Sequence, residues 1–184
     1  MTETKSMTIE TNRSLSEAEA KEITTVMMNA RQLIKNPTKK ISSVFRFCRR
    51  GAIFCALGLL FFAYFLIRGD RDALTLTGTL ITIVAVIFLA VFYSGVRKTY
   101  RTFLSRGDEH VIMNLDEKGI DYEVVGNRRY QSSWENVAFI RVFQEMVYMI
   151  PKDITGMIFS VEKKNLEELK GFLKENQIQI QVIE

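Results

Sequence analysis

The chain is short, at 184 residues, and its 25 Lys+Arg and 21 Asp+Glu give a formal net charge of +4 and a pI of about 9.1. The charge is unevenly divided. Residues 1–106 hold 16 basic and 7 acidic residues (net +9), whereas residues 107–184 hold 9 and 14 (net −5). The alkaline pI therefore does not indicate a nucleic-acid-binding protein, because the C-terminal part has the wrong sign for phosphate.

The N-terminal residues predict a short tail followed by one helix. Residues 1–14 are polar and predict a disordered tail. Ser16 and Glu19 have the spacing of a capping box, and apolar residues then recur at helical spacing, so we expect an amphipathic helix over residues 15–36. Its polar face is not uniformly basic and no bulky aromatics lie opposite. Docking on the protein itself or on a partner is therefore favoured over docking on lipid.

Two apolar runs dominate the middle of the chain. Residues 51–67 and 73–96 contain no Asp, Glu, Lys or Arg, and a bilayer-spanning helix needs about 20 apolar residues. They predict a transmembrane hairpin over residues 44–96, with helices at about 48–67 and 73–96. The alternative is a pair of buried helices in a soluble protein. It is disfavoured because so short a chain could hardly cover both helices on every side.

Basic residues flank this hairpin, whereas Arg68 and Arg71 in the connecting loop are balanced by two aspartates. The positive-inside rule then predicts a multi-pass protein of the inner or plasma membrane with both termini in the cytoplasm. Neither apolar run, 51–67 or 73–96, holds a charged residue of the kind that marks a transport path. The flanking basic residues are Lys35, Lys39, Lys40, Arg46, Arg49, Arg50, Arg97, Lys98, Arg101 and Arg106.

Small residues and threonines within the spans predict how the two helices pack. Gly51, Cys55 and Gly58 fall near one face of the first helix, which would let the second helix or a partner helix approach closely. An equally plausible interpretation is that small residues are simply common in membrane helices. The threonines of the second span can bond their own helix backbone.

The two cysteines, Cys48 and Cys55, are too far apart along one helix to form a disulfide.

After residue 106 the periodicity changes to two, which predicts strands. A helix with an apolar stripe follows, capped by Ser160 or Asn165, and an alternating tail could add a last strand. We therefore expect an α+β cytoplasmic domain over residues 107–184, with a small antiparallel sheet covered by one late helix. Gly119 is expected at a left-handed turn position, and Pro151 is expected to end a strand or lie on an edge. The predicted strands are 110–115, 120–125, 129–133, 137–143, 146–150, 154–159 and 177–183.

Residues 107–184 resemble the cytoplasmic domain of the YcxB-like family of bacterial membrane proteins. The matching features are Leu115–Ile120, Ser133–Val137, Val147–Lys152 and Phe159 before the final helix, and the resemblance covers roughly residues 45–175. It implies a split-barrel-like sheet capped by a C-terminal helix, similar to pleckstrin-homology folds. It implies no established activity. Asp153–Met157 departs from the family pattern, in which the helix follows Pro-Lys directly.

Four candidate sites have simpler structural interpretations. Trp134, the only tryptophan, could line a ligand groove but is better explained as a core residue under the helix. His110, the only histidine, adjoins only Asp108 and Glu109 and is better explained as solvated. Ser132 and Ser133 have no evident base. A basic patch is the fourth candidate, and solvated charge explains it better. Its residues would be Lys118, Arg128, Arg129, Arg141 and Lys152.

We therefore predict no catalytic, cofactor-binding or metal-binding residues, no cofactor and no enzymatic activity. The predicted function is a membrane-anchored cytoplasmic binding or scaffold module, integral to the lipid bilayer. Its partner would be a protein or a further copy of the chain, with no nucleic acid. One alternative is an immunity-type protein that protects the membrane from a cognate toxin. Another is an enzyme or a transport component, which would require a pocket with convergent polar groups.

Overall fold

The computed structural model describes residues 6–12, 14–69, 72–105, 110–126, 128–153 and 155–184. The chain divides into two compact units. We call the first the sheet unit, which combines Met1–Ile41 with Thr102–Glu184, and the second the helix unit, Ser42–Arg101. The sheet unit is thus discontinuous in sequence, with the helix unit inserted between its two segments.

Five helices and eight strands make up the described part of the chain. The helices are α1 Glu17–Met28, α2 Ala30–Lys35, α3 Val44–Ile67, α4 Ala73–Leu104 and α5 Leu166–Glu175. The strands are β1 Met7–Asn12, β2 His110–Leu115, β3 Gly119–Val124, β4 Arg128–Ser133, β5 Val137–Val142, β6 Met146–Pro151, β7 Phe159–Glu162 and β8 Val182–Ile183.

The strands form two four-stranded sheets, and the predicted α+β class is confirmed. One sheet has the order β1-β2-β3-β4, with antiparallel neighbours throughout. The other has the order β7-β6-β5-β8, in which only the short β8 runs parallel to its neighbour. We expected one sheet, and the structure has two. The two sheets and α5 enclose one apolar core that includes Leu115, Ile140 and Leu169.

The N-terminal residues are part of this core, so two predicted boundaries were wrong. Residues 7–12 form β1 rather than a disordered tail, and they pair along the whole of β2. Met7 and Ile9 alternate with Thr8 and Glu10, which places two apolar side chains on the core side. A domain of residues 107–184 alone would lack this strand. The predicted tail residues 1–5 and 13 lie outside the described residues.

The predicted helix over residues 15–36 exists as two helices, α1 and α2. The Ser16 and Glu19 capping box is formed as expected, and α2 ends just before Asn36. Asn29 interrupts the helix: its side-chain amide donates to the Thr25 carbonyl oxygen at 2.8 Å. The pair packs on the protein itself, because α2 contacts β6 and Leu33 is fully buried.

Strand β6 explains why these helices are required. All six of its residues are buried. Val147 and Met149 belong to the main core, whereas Met146, Tyr148 and Ile150 alternate with them and face the other side of the sheet. The apolar side chains of α1 and α2 cover that second face. The sheet unit is therefore layered, with α1 and α2 outside one sheet and the apolar face of α5 on the main core.

The predicted strands before residue 151 agree with the structure to within one residue at nearly every end, and Pro151 ends β6. Two other expectations, for the strand over 154–159 and for Gly119, were wrong, and the tail strand is confirmed over two residues only. The strand predicted over 154–159 begins only at Phe159, and Ile154 itself lies outside the described residues. Only Val182–Ile183 of the tail is a strand. Gly119 does not have a positive φ, whereas Gly126 does, at 78°.

Two long apolar helices make up the helix unit. Helix α3 has 24 residues and α4 has 32, with mean hydropathies of 2.0 and 2.5 in their most apolar windows. Both are long and apolar enough to span a membrane, and 0% and 6% of those windows are buried. The expected close approach is present, since a Cβ at Gly51 would lie 3.2 Å from Leu89 of α4. Thr79 and Thr82 bond their own helix backbone, as predicted.

We predict that Leu33→Ala destabilises the sheet unit by about 2–5 kcal/mol, because it leaves a cavity under the outer helix layer. The matched control is Val125→Ala, at a side chain that is 48% exposed, which should change stability by no more than about 0.5 kcal/mol. Denaturant unfolding of the full chain in detergent, followed by the fluorescence of the single tryptophan, measures both. Equal effects of the two substitutions would show that α2 is not part of the folded unit.

Two glycine-to-alanine substitutions should have opposite effects. A Cβ at Gly119 would overlap the backbone of Ser132 and Ser133 on β4, so Gly119→Ala should destabilise by about 1–3 kcal/mol. Gly171 lies within α5, and a Cβ added there would have no other heavy atom within 4 Å, so Gly171→Ala should stabilise by about 0.5–1 kcal/mol. The same unfolding measurement tests the pair, and a stabilised G119A would contradict the close approach.

Candidate functional site

A groove on the sheet unit is the best candidate for a binding site. We call it the methionine groove. It has a volume of about 480 Å³ and lies where α1 and α2 meet β3, β7 and the segment before β7. Phe103, near the end of α4, also lines it. Its characteristic lining residues are Met27, Met28, Arg31, Tyr122, Met157 and Ile158.

The walls of the groove are apolar and adaptable. Met27 is 45% exposed and Met28 is 40% exposed, so both present apolar surface to the groove. Methionine side chains are flexible and polarisable, so they can repack around ligands of different shape. Arg31 is the one charged residue among the described residues that line the groove. The arrangement suits an apolar ligand segment that carries a negative group.

A hydrogen-bonded carboxylate fixes the helix that forms one wall of this groove. Glu22 on α1 accepts hydrogen bonds from the backbone N–H groups of Glu145 and Met146, each at 3.0 Å. These two residues lie at the turn between β5 and β6. The Glu22 side chain therefore joins α1 to the second sheet, one residue before Ile23 enters the groove lining.

Burial controls the acid–base behaviour of this contact. It raises the pKa of Glu22, and the two backbone hydrogen bonds offset only part of that effect. The neighbouring Tyr148 hydroxyl is also buried, and its interaction with Glu22 acts in the same direction as those hydrogen bonds. Burial, and then the negative charge of Glu22, raise the pKa of Tyr148 far above its usual value. Glu22 therefore stabilises the position of α1 and is not among the residues that line the groove.

The structure places Trp134 in the core, which agrees with the simpler interpretation. Its indole N–H donates to the Asp116 carbonyl oxygen at 2.7 Å. Its ring lies 6.1 Å from that of Phe172 on α5, and the side chain is buried. Trp134 therefore anchors α5 over the sheets and does not line the methionine groove.

The histidine and the serines are not brought together. His110 begins β2, and its Nε2 lies 3.9 Å from a Glu10 carboxylate oxygen on β1. The sequence neighbours Asp108 and Glu109 lie outside the described residues. Ser132 donates to the Ser133 carbonyl oxygen at 3.4 Å, at the end of β4. Within the described ranges, no group of three or more His, Cys, Asp or Glu residues could hold a metal ion.

The proposed basic patch is dispersed. Arg129 pairs with Asp121 on β3, and this contact lowers the pKa of that carboxyl. Arg141 lies on the other sheet and donates to the carbonyl oxygens of Pro37 and Lys39 at 2.7 and 2.9 Å. Lys118 and Arg129 line a cavity of about 470 Å³, but two aspartates line it as well. The basic charge there is balanced, which favours the solvated-charge interpretation.

Sequence patterns did not predict the methionine groove. Met27 and Met157 are 130 positions apart, and only the packing of α1 beside β7 brings them to one surface. The sequence held one hint of an exposed apolar surface, the adjacent Met27 and Met28 on α1. A helix cannot bury two successive side chains on one narrow face.

The comparisons with known proteins do not identify a family. No family model matches the chain, and no curated protein matches it. A solved structure titled "Structure of the Spt16D Pob3N heterodimer" is similar over 41% of this chain, at 14% identity and a TM-score of 0.31. The match spans 47% of that other chain, and a likeness this low carries no argument about fold or function.

We predict that Glu22→Gln alters the pH dependence of stability. Burial raises the pKa of Glu22 above 4.5 in the folded protein, so the folded state holds this proton more tightly than the unfolded state. The resulting stabilisation is fully present below the unfolded pKa and is lost as pH rises through the folded pKa. The free energy of unfolding of the wild type, relative to Glu22→Gln, should therefore fall as pH rises above about 4.5.

The matched control is Glu17→Gln, which removes a carboxylate from the same helix at a side chain that is 74% exposed and pairs only with Lys21 in the described structure. Denaturant titrations at several pH values compare the three proteins. A wild-type advantage over Glu22→Gln that grows with rising pH would contradict the assigned direction.

Proposed function

We propose that the chain is a membrane-anchored binding module of the YcxB-like kind, without enzymatic activity. The observation that carries this proposal is the insertion of the helix unit within the sheet unit. Two chain connections join the units, because the chain enters the helix unit after Ile41 and leaves it before Thr102. Arg141 binds the backbone at Pro37 and Lys39, within the sheet unit and just before the first connection.

The exposed apolar surface of the helix unit supports membrane insertion. The core helices of a soluble protein would be covered, whereas at most 6% of the most apolar windows of α3 and α4 is buried. Hydrocarbon would satisfy this surface, and water would not. The basic flanks support an orientation in which the sheet unit lies in the cytoplasm. Two sheets with a C-terminal helix packed on their core also support a pleckstrin-homology-like fold.

The methionine groove is the proposed ligand site, and the proposed ligand is an apolar segment of a partner protein with an acidic group. Three methionines with aromatic and aliphatic neighbours provide the apolar contact, and Arg31 provides the charge. An exposed sheet edge could bind a partner by strand addition, but that mode would not use these half-exposed methionines. The immunity-type alternative remains a prediction, and a toxin gene next to this one would support it.

Site-specific photo-crosslinking in native membranes tests the proposal. A crosslinking amino acid replaces Met28 in the full chain, and a matched control replaces Glu167, whose side chain is 83% exposed on α5. We expect one discrete protein adduct from position 28 and none from position 167. Arg31→Glu in the position-28 protein should reduce that adduct, because it reverses the charge that lines the groove. Adducts of equal yield from both positions, or none from position 28, would refute a groove-bound protein partner.

A further inference from the structure

The helix unit contains a second groove, between α3 and α4, that the proposed partner does not use. We call it the hairpin groove. It has a volume of about 660 Å³ and an almost entirely apolar lining. Small side chains create the space between the helices: Cys48, Ala52, Cys55 and Ala56 on α3, and Ala90 on α4.

One end of the hairpin groove is polar. Arg49 and Tyr93 line it there, whereas Leu59 and Val86 line the opposite end. From Phe45 to Leu59 the groove follows α3 for about 21 Å, at 1.5 Å per residue. One leaflet contributes about half of the ~30 Å hydrocarbon core. The groove is therefore long enough to take an acyl chain that starts at the polar end.

The charge at that end is basic. Arg46, Arg49 and Arg50 lie at the start of α3, and Arg97 and Lys98 lie near the end of the antiparallel α4. The sequence of residues 42–101 contains only two acidic residues, Asp70 and Asp72, at the connection between the helices. In the described structure no carboxylate pairs with Arg49.

We propose that the hairpin groove binds an anionic phospholipid, with one acyl chain between α3 and α4 and the phosphate on Arg49. The inference rests on the membrane insertion proposed above. Basic pockets between transmembrane helices are suited to anionic headgroups, since the charge acts in a region of low dielectric constant. The lipid would fill the space that small side chains leave open and would support the hairpin packing.

A second copy of the chain is the main competing occupant. Two copies inserted with the same orientation would bring their basic ends to the same side of the membrane. The basic residues of one helix unit would then face those of the other, and like charges repel. A phospholipid of negative charge removes this repulsion instead of adding to it, so charge complementarity favours the lipid.

The test uses the full chain reconstituted in phosphatidylcholine vesicles that contain a small fraction of a lipid with a photoactivatable acyl chain. The probe is phosphatidylglycerol in one sample and phosphatidylcholine in the other, and mass spectrometry maps the labelled residues. We expect phosphatidylglycerol to label the residues around Cys55 and Ala56, and unlabelled phosphatidylglycerol to compete. Arg49→Gln should lower this labelling about fivefold. Arg50→Gln removes the same charge one residue away, outside the groove lining, and should retain most of it.

The remaining outcomes distinguish the lipid site from membrane anchoring. Equal labelling by both lipids, or equal loss in Arg49→Gln and Arg50→Gln, would overturn the lipid site alone. A Cys55–Cys55 dimer on mild oxidation, with no lipid labelling of the groove, would assign it to a second copy. A chain that alkaline carbonate strips from the vesicles would overturn the anchoring and the lipid site together. Ala56→Phe, which fills the groove without changing charge, should also abolish labelling while the chain stays carbonate-resistant.

Discussion

Strand β6 lies in the centre of its sheet with all six residues buried, so both of its faces need an apolar cover. The main core and α5 cover one face. The other face would meet water unless a second layer packed on it, and α1 and α2 form that layer. Because these helices precede the long apolar helices in the chain, the sheet unit can be completed only by residues from both sides of the helix unit.

Because the sheet unit is discontinuous, its N-terminal segment provides both a wall of the methionine groove and the residues that lead to α3. Helix α1 contributes to the methionine groove, and Glu22 holds α1 against the turn between β5 and β6. Arg141, on β5, holds the backbone at Pro37 and Lys39, which leads to α3. One sheet thus contacts both the helix that forms the groove wall and the segment that continues into the helix unit.

Side-chain size determines how closely the two helices of the helix unit pack. Its closest helix contacts occur where glycines face larger residues, and its groove occurs where several small side chains lie together without a large partner. The same residue types therefore produce both tight packing and open space, depending on what the facing helix offers. Charge is also unevenly placed, with net basic charge at one end and, at the connection between the helices, two arginines balanced by two aspartates.

Local patterns in the sequence determined the long apolar helices, the capping box at Ser16, most strands before Pro151 and the core role of Trp134. Each depends on neighbours within a few residues, so periodicity and composition suffice. The pairing of β1 with β2, the division into two sheets and the methionine groove were decided only by the tertiary structure. They join residues more than 100 positions apart, and no local pattern records which distant surface an apolar face will meet. Even Gly119, noticed in the sequence as a turn residue, is required for a long-range reason: the β4 backbone leaves no room for a side chain.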